Sequence, residues 1–240
     1  MSSVVGTGSE KSTLQSKLHF LRRISIFQGV TDEALAKIGQ LTTEKLYSKK
    51  SIICHEGDPG DTLYIIKLGR VKIAKVAMDG REKTLAIMQS GDFFGEMAIF
   101  DDLPRSATAE AIDAEVRLFA LSKRDFERAI SENPTIALAI MRDLTRRIRA
   151  VNQQVEDLAF KDVHGRVAST LLNLAQTEGQ KTGAQVTIKI RMTHQDLANM
   201  VGSSRETVTR ALNRMQDEGV ISISHQQITL LDPEALANWA

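Results

Sequence analysis

Ser203-Ser204-Arg205-Glu206-Thr207-Val208-Thr209-Arg210 is the stretch from which the rest of this 240-residue chain can be read. Ser204 has the chemistry of a helix cap, because its hydroxyl can accept an amide N–H that the first helical turn leaves unpaired. Val208, Leu212 and Met215 follow at helical spacing and define an inward face. Arg205, Glu206, Thr209 and Arg210 fall outward, near the helix start. Upstream, Thr193 is placed to cap a helix from His194 to Met200, with Leu197 and Met200 facing inward. Val201-Gly202-Ser203 joins the two helices, and Gly202 supplies the backbone freedom of a tight turn. Downstream, Val220–Ser224 and Gln227–Leu231 read as a short hairpin turning near His225-Gln226. Before the helix pair, Val167–Thr177 reads as a helix and Gln185–Ile190 as a strand. Helices in this order with a small hairpin describe a winged helix-turn-helix over residues 165–240.

The second helix of such a pair enters the DNA major groove with its N-terminus foremost. An arginine can pair with guanine O6 and N7, and a glutamate can accept from the cytosine amino group. Arg205, Glu206 and Arg210 therefore form a candidate base-reading set. Thr193, Ser203, Ser204 and Thr207 are candidates for phosphate contacts through hydroxyls and helix-terminal N–H groups. A solvated face with an i,i+4 salt bridge is the plainer reading of the same charges. Charge is not concentrated here: residues 165–240 hold seven Lys/Arg and seven Asp/Glu, and the whole chain has net charge +1. Any affinity for DNA must come from a few placed arginines.

Lys161-Asp162-Val163-His164-Gly165 reads as a break, and before it residues 135–160 read as one long helix. Met141, Leu144, Ile148, Val151, Val155 and Leu158 step by 3, 4, 3, 4, 3. That is a coiled-coil seam and predicts a homodimer. The alternative is an amphipathic helix lying on its own domain.

Residues 51–121 change character. Gly57, Gly60, Gly69, Gly80, Gly91 and Gly95 punctuate short apolar runs: Leu63–Ile66, Val71–Ile73, Leu85–Met88 and Val116–Leu121. Asp79-Gly80 between two such runs is a hairpin signal. Strands of this length predict an antiparallel barrel or sandwich. Residues 18–44 read as helical, with Thr31 as a cap and Leu35, Ile38 and Leu41 inward. The expected organisation is a disordered tail over 1–17, a small β domain over 18–134, a dimerisation helix and hinge over 135–164, and the winged domain over 165–240. The fold class is α+β.

Several classes are disfavoured. One cysteine, Cys54, excludes an intramolecular disulfide and reads as a small hydrophobe in a strand. A haem or iron–sulfur centre fits poorly, and neither a metal site nor a prosthetic group is expected. No apolar run approaches a membrane span, and the N-terminus lacks a signal peptide's core, so the expected location is the cytoplasm. No nucleophile–base pair or phosphate loop supports catalysis.

The sequence resembles the CRP/FNR family of bacterial regulators, the group of the cyclic-AMP catabolite activator. Three ordered motifs carry the resemblance: Gly202–Val208, Leu158–Ala168, and Gly91-Asp92-Phe93-Phe94-Gly95-Glu96-Met97-Ala98 through Pro104-Arg105-Ser106-Ala107. The last resembles the family's phosphate-binding cassette, which implies a jelly-roll-like β-roll that binds a cyclic nucleotide. Its chemistry agrees: Gly95 permits close backbone approach, Glu96 can accept from a ribose hydroxyl, Arg105 offers a forked guanidinium to phosphate, and Ser106 adds a hydroxyl and an N–H. A simple Glu96–Arg105 pair within a loop is the alternative. Met97 belongs to the same cassette.

In the cyclic-AMP activator two hydroxyl residues on the long helix meet the base. Here Val151 and Asn152 stand at those positions, and only Asn152 can hydrogen-bond a base edge through its side chain. Phosphate and ribose recognition are retained in this reading. The effector is cyclic AMP, or alternatively cyclic di-GMP or cyclic GMP, and Arg70, Arg146 and Arg149 are candidates for a second phosphate. The resemblance further implies a two-fold symmetric site with TGTGA-like half-sites, and RNA polymerase as a partner. A constitutive DNA-binding regulator with a degenerate pocket, and a regulatory subunit of a cyclic-nucleotide-controlled enzyme, are the competing functions.

Overall fold

The computed structural model describes residues 15–240. They form two compact units, one from residues up to 75 and 85–147, the other from residues 76–84 and 148–240.

In the first unit, α1 (15–21) and α2 (Asp32–Leu41) precede the strands. Thr31 caps α2 by accepting the Ala34 N–H. Leu35 and Ile38 are buried as expected, whereas Leu41 at the helix end is exposed. The expected continuous helicity of residues 18–44 is corrected. Residues 22–31 interrupt it, and Thr43–Ser48 is a strand, β1. The expected disordered tail is corrected at its end. Residues 15–17 are helical, and Lys17 Nζ donates to the Gly39 and Thr42 carbonyls. The rest of that tail lies outside the described residues.

Eight strands follow: β1, β2 (Ile52–Cys54), β3 (Thr62–Leu68), β4 (Val71–Val76), β5 (Glu82–Met88), β6 (Phe93–Phe94), β7 (Thr108–Ala111) and β8 (Glu115–Ser122). They make two four-stranded sheets, β1-β8-β3-β6 and β2-β7-β4-β5. Strand β3 shows why its four apolar residues run together. Tyr64 and Ile66 join a core with Val71, Phe94 and Leu118, while Leu63 and Ile65 join a second core with Phe119 and the helices. Side chains alternate across a strand, so a sheet covered on both faces needs apolar residues at every position. The second core includes Phe126 of α4 (Lys123–Glu132) and Ile136 and Ile140 of α5 (Thr135–Phe160). Cys54 is half-buried in β2.

Helix α5 has the range the sequence predicts. Its first turns do lie on the β-roll, through Ile136, Ile140 and partly Leu144. The remaining seam does not: Met141, Ile148, Val151, Val155 and Leu158 are all more than half exposed.

The second unit contains α6 (Val163–Glu178), β9 (Gly179–Thr182), β10 (Gln185–Ile188), α7 (His194–Val201), α8 (Arg205–Asp217), β11 (Ile221–Ser224), β12 (Gln227–Leu230) and α9 (Pro233–Ala237). The expected five-residue break is only two residues long. Asp162 caps α6 by accepting the Gly165 N–H at 2.8 Å, so His164 and Gly165 are helical. Gly165 serves close packing instead, since a Cβ there would lie 3.0 Å from the Trp239 carbonyl. His225 and Gln226 both adopt positive φ, 48° and 64°, which closes the two-residue hairpin in the hand that strand twist favours.

Candidate functional site

The cassette loop runs from β6 through α3 (Met97–Phe100) to β7. Gly95 has φ +87°, and a Cβ there would sit 2.3 Å from Arg105 Nη1 and 2.9 Å from the Thr62 carbonyl. Gly60 is equally constrained, since a Cβ would fall 2.1 Å from that of Ala98. Gly95→Ala is therefore expected to cost about 1–3 kcal/mol of stability and to push the Arg105 guanidinium aside. Chemical denaturation of the two proteins checks this.

Arg105 is 5% exposed. Its Nη1 donates to the Gly95 carbonyl at 2.9 Å and its Nη2 to the Thr62 carbonyl at 2.7 Å. The guanidinium carbon lies 5.7 Å from the Tyr64 ring centre, and Nε has no partner. Among the described residues no carboxylate is within ion-pair distance of it. The expected alternative of a Glu96–Arg105 pair is thus corrected. Glu96 precedes α3 without a side-chain cap bond, is 4% exposed, and pairs at 3.2 Å with Arg147 of α5. Arg147 also donates to the Phe93 carbonyl at 2.7 Å, pairs with Asp143 at 2.7 Å, and lies over the Phe93 ring. Arg147 is not among the candidates that the sequence singles out. The available signal was its i,i+4 relation to Asp143, which pairs a cation beside the seam.

Burial pushes the Glu96 carboxyl above the usual range, and the Arg147 charge opposes that only in part. Such a group favours the folded state fully below its unfolded value, and that advantage is lost as pH rises through the folded value. Glu96→Gln should therefore raise the melting temperature of the effector-free protein near neutral pH. The gain should vanish below about pH 4. Thermal melts across pH check both halves.

The other predicted pocket residues are less enclosed. Ser106 is exposed, its hydroxyl 3.6 Å from the Met97 sulfur, and Met97 is half exposed. Asn152 is exposed on α5. Of the arginines considered for a second phosphate, Arg70 is held by both carboxylate oxygens of Asp113. Arg146 pairs with Asp143, and Arg149 is exposed.

In the second unit the two capped helices stand as expected. Thr193 and Asp196 form a reciprocal capping box on α7, and Gly202 ends that helix at φ +66°. Met200 is only half-buried, and Val201 takes the inward position with Leu197. Ser204 caps α8 by accepting the Thr207 N–H at 3.2 Å. Val208, Leu212 and Met215 are fully buried. Arg205, Glu206, Thr209 and Arg210 line one open concavity. The i,i+4 salt bridge of the plainer reading, Glu206 with Arg210, is absent among the described residues: Arg210 reaches Thr207 Oγ1 at 3.4 Å. The backbone N–H of Glu206 and the Ser204 hydroxyl hold the Glu206 carboxyl below its usual range. It is left as a charged acceptor facing outward. Ser203 is half-buried in the turn.

Residues 44–133 match the family model described as the cyclic nucleotide-binding domain, and residues 165–239 the Crp-like helix-turn-helix domain. The CRP-like cAMP-activated global transcriptional regulator of Mycobacterium tuberculosis is 40% identical over 220 residues, covering 92% of this chain and 98% of that protein. The chain belongs to the CRP/FNR family of transcription regulators. Another CRP/FNR relative, the cAMP-activated global transcriptional regulator CRP of Pasteurella multocida, is 37% identical over 185 residues, 77% of this chain and 88% of that one. Among solved CRP/FNR structures, the c-di-GMP responsive global regulator CLP of Xanthomonas campestris superposes with a TM-score of 0.74 at 26% identity, covering 83% of this chain and 99% of that chain. The CRP/FNR assignment makes this chain a cyclic-nucleotide-binding, DNA-binding regulator built on the α+β fold anticipated from its three motifs. Among the described residues no helix is long and apolar enough to cross a membrane. Nor does any cluster of three or more His, Cys, Asp or Glu side chains there suit a metal.

Proposed function

We propose that the chain is a homodimeric regulator whose DNA binding is controlled by cyclic AMP. The observation that carries this is Arg105, a buried guanidinium with no carboxylate partner among the described residues. Buried charges are costly unless paired. A cyclic phosphate supplies the missing counter-charge, the Ser106 hydroxyl and N–H add donors, and Gly95 lets the loop close on the ligand. Glu96 accepts from the ribose hydroxyl, and Met97 packs beside it.

One phosphate suffices. The engagement of Arg70 with Asp113 favours a mononucleotide over cyclic di-GMP. The cAMP-activated relatives at 40% and 37% identity favour the same choice. Asn152 is assigned to the base edge.

At the output end, Arg205, Glu206 and Arg210 read bases, while Ser203, Ser204, Thr207 and the start of α7 at Thr193 meet phosphates. Two subunits joined along α5 place two α8 helices about 34 Å apart on a two-fold site, with RNA polymerase as the downstream partner.

A calorimetric panel tests the input. Cyclic AMP is expected to bind tightest, then cyclic GMP, with cyclic di-GMP weakest. Equal or stronger binding of cyclic di-GMP overturns the mononucleotide assignment. A null result for all three favours a constitutive regulator. For the output, Arg205→Ala should weaken binding to a site enriched by the wild-type protein by about 10–100-fold, the cost of one lost bidentate base contact. Fluorescence anisotropy measures it.

A further inference from the structure

We infer that His194 makes a DNA phosphate contact that only its protonated ring can form, so that DNA binding draws a proton onto each subunit. The inference rests on the assignment of α8 as the recognition helix.

Its starting point is one hydroxyl. Thr209 Oγ1 donates to the Arg205 carbonyl at 2.8 Å. A hydroxyl has a single proton, and here the carbonyl takes it. His194 Nδ1 lies 2.8 Å from the same oxygen. That contact is a hydrogen bond only if Nδ1 carries the proton and Thr209 accepts. The neutral ring is thereby fixed with its hydrogen on Nδ1 and a lone pair on Nε2. Nε2 has no partner among the described residues. A lone pair repels a phosphate oxygen. Protonation converts Nε2 to a donor and the contact to a charge-assisted one.

Place in the fold selects phosphate rather than base. His194 is the first residue of α7, and the first helix of a helix-turn-helix crosses the DNA backbone while the second enters the groove. Its neighbour Thr193 is one of the four phosphate-contact candidates read from the sequence. That hydroxyl is used up: it donates to Asp196 Oδ2 at 2.7 Å and accepts the Asp196 N–H at 3.1 Å. His194 stands beside it with a ring nitrogen unused.

The charged groups around it come from each neighbouring element. Asp196 lies on its own helix. Arg205, Glu206 and Arg210 line the concavity that Thr209 shares. The Gln226 carbonyl accepts the Met192 N–H at 2.9 Å, which brings the His225-Gln226 turn to the start of α7. These are two carboxylates, two guanidinium groups and one further histidine. Their formal charges cancel when His225 is neutral. The DNA phosphate then tips the ring to its protonated form.

The test is anisotropy with the full-length protein, saturating cyclic AMP and a duplex enriched from a random pool, at fixed ionic strength. The wild-type Kd should be at least about fivefold lower near pH 6 than near pH 8. His194→Gln carries an amide donor near the Nε2 position at every pH, and its Kd should be flat. Thr209→Val removes the oxygen that fixes the tautomer, so its neutral ring can carry the proton on Nε2. Its Kd near pH 8 should fall toward the wild-type value near pH 6, a gain that loss of packing does not produce. His225→Gln should keep the full dependence. The inference is overturned if the pH dependence survives His194→Gln, if His225→Gln abolishes it, or if Thr209→Val weakens binding near pH 8. Failure to enrich any duplex instead overturns the DNA-reading assignment, and this inference with it.

Discussion

Arg105→Met is expected to weaken cyclic-AMP binding by two orders of magnitude or more while leaving the effector-free fold close to wild type. Without arginine the ligand's phosphate is buried with no cation, and breaking such a pair costs about 3–5 kcal/mol. That is about two to three and a half decades in Kd. In the empty protein two effects oppose each other. Methionine removes donors from the Gly95 and Thr62 carbonyls, which costs stability. It also removes a buried cation that lacks an anion, which restores some of it. Calorimetry with cyclic AMP and a thermal melt without it read the two separately. A variant that binds cyclic AMP normally would remove Arg105 from the site. A variant that melts far below wild type would make Arg105 a structural residue instead.

The second large effect is at the seam. Ile148→Glu combined with Val155→Glu should give a monomer at micromolar concentration by sedimentation velocity. Ile148 is 60% exposed and Val155 61%, so the single subunit has little to lose. The pair seam loses two apolar layers and gains facing carboxylates. DNA affinity for the two-fold site should fall by about 10²–10⁴-fold, because the second half-site contact ceases to be intramolecular. A double variant that sediments as a dimer would place the interface elsewhere.

The features visible in the sequence are those whose signals are local. The Ser204 cap, the Thr193 cap, the positive-φ turn at Gly202 and the 3–4 stepping of α5 are each written within a few residues. The Leu63–Ile66 run was visible because both sheet faces are covered. Strands β1, β6 and β7 were not. Strand β1 is mostly exposed, β6 is two residues long, and β7 is Thr-Ala-Glu-Ala. Their pairing comes from partners far away in sequence, such as Thr43 with Ala120. The start of α6 is hidden in the sequence because His164-Gly165 looks like a breaker, whereas Asp162 caps the helix and Gly165 admits the Trp239 carbonyl. In the cassette, Gly95, Glu96 and Arg105 were legible as chemistry. Arg147 was not, because its pairing with Glu96 spans 51 residues. The Thr209 hydroxyl was likewise invisible as a switch for a histidine ring until both helices were in place.

The unpaired Arg105 has a consequence outside the pocket. A ligand that binds only the folded chain stabilises it by RT ln(1 + [L]/Kd), about 2.7 kcal/mol at a hundredfold excess over Kd. Intracellular proteases remove chains in proportion to the fraction unfolded, so that margin is also a lifetime. Cells rich in the effector would then hold more of this protein as well as more of its effector-bound form. A sustained drop in the effector would thin the regulator out by turnover, giving the response a slow memory on top of the fast switch.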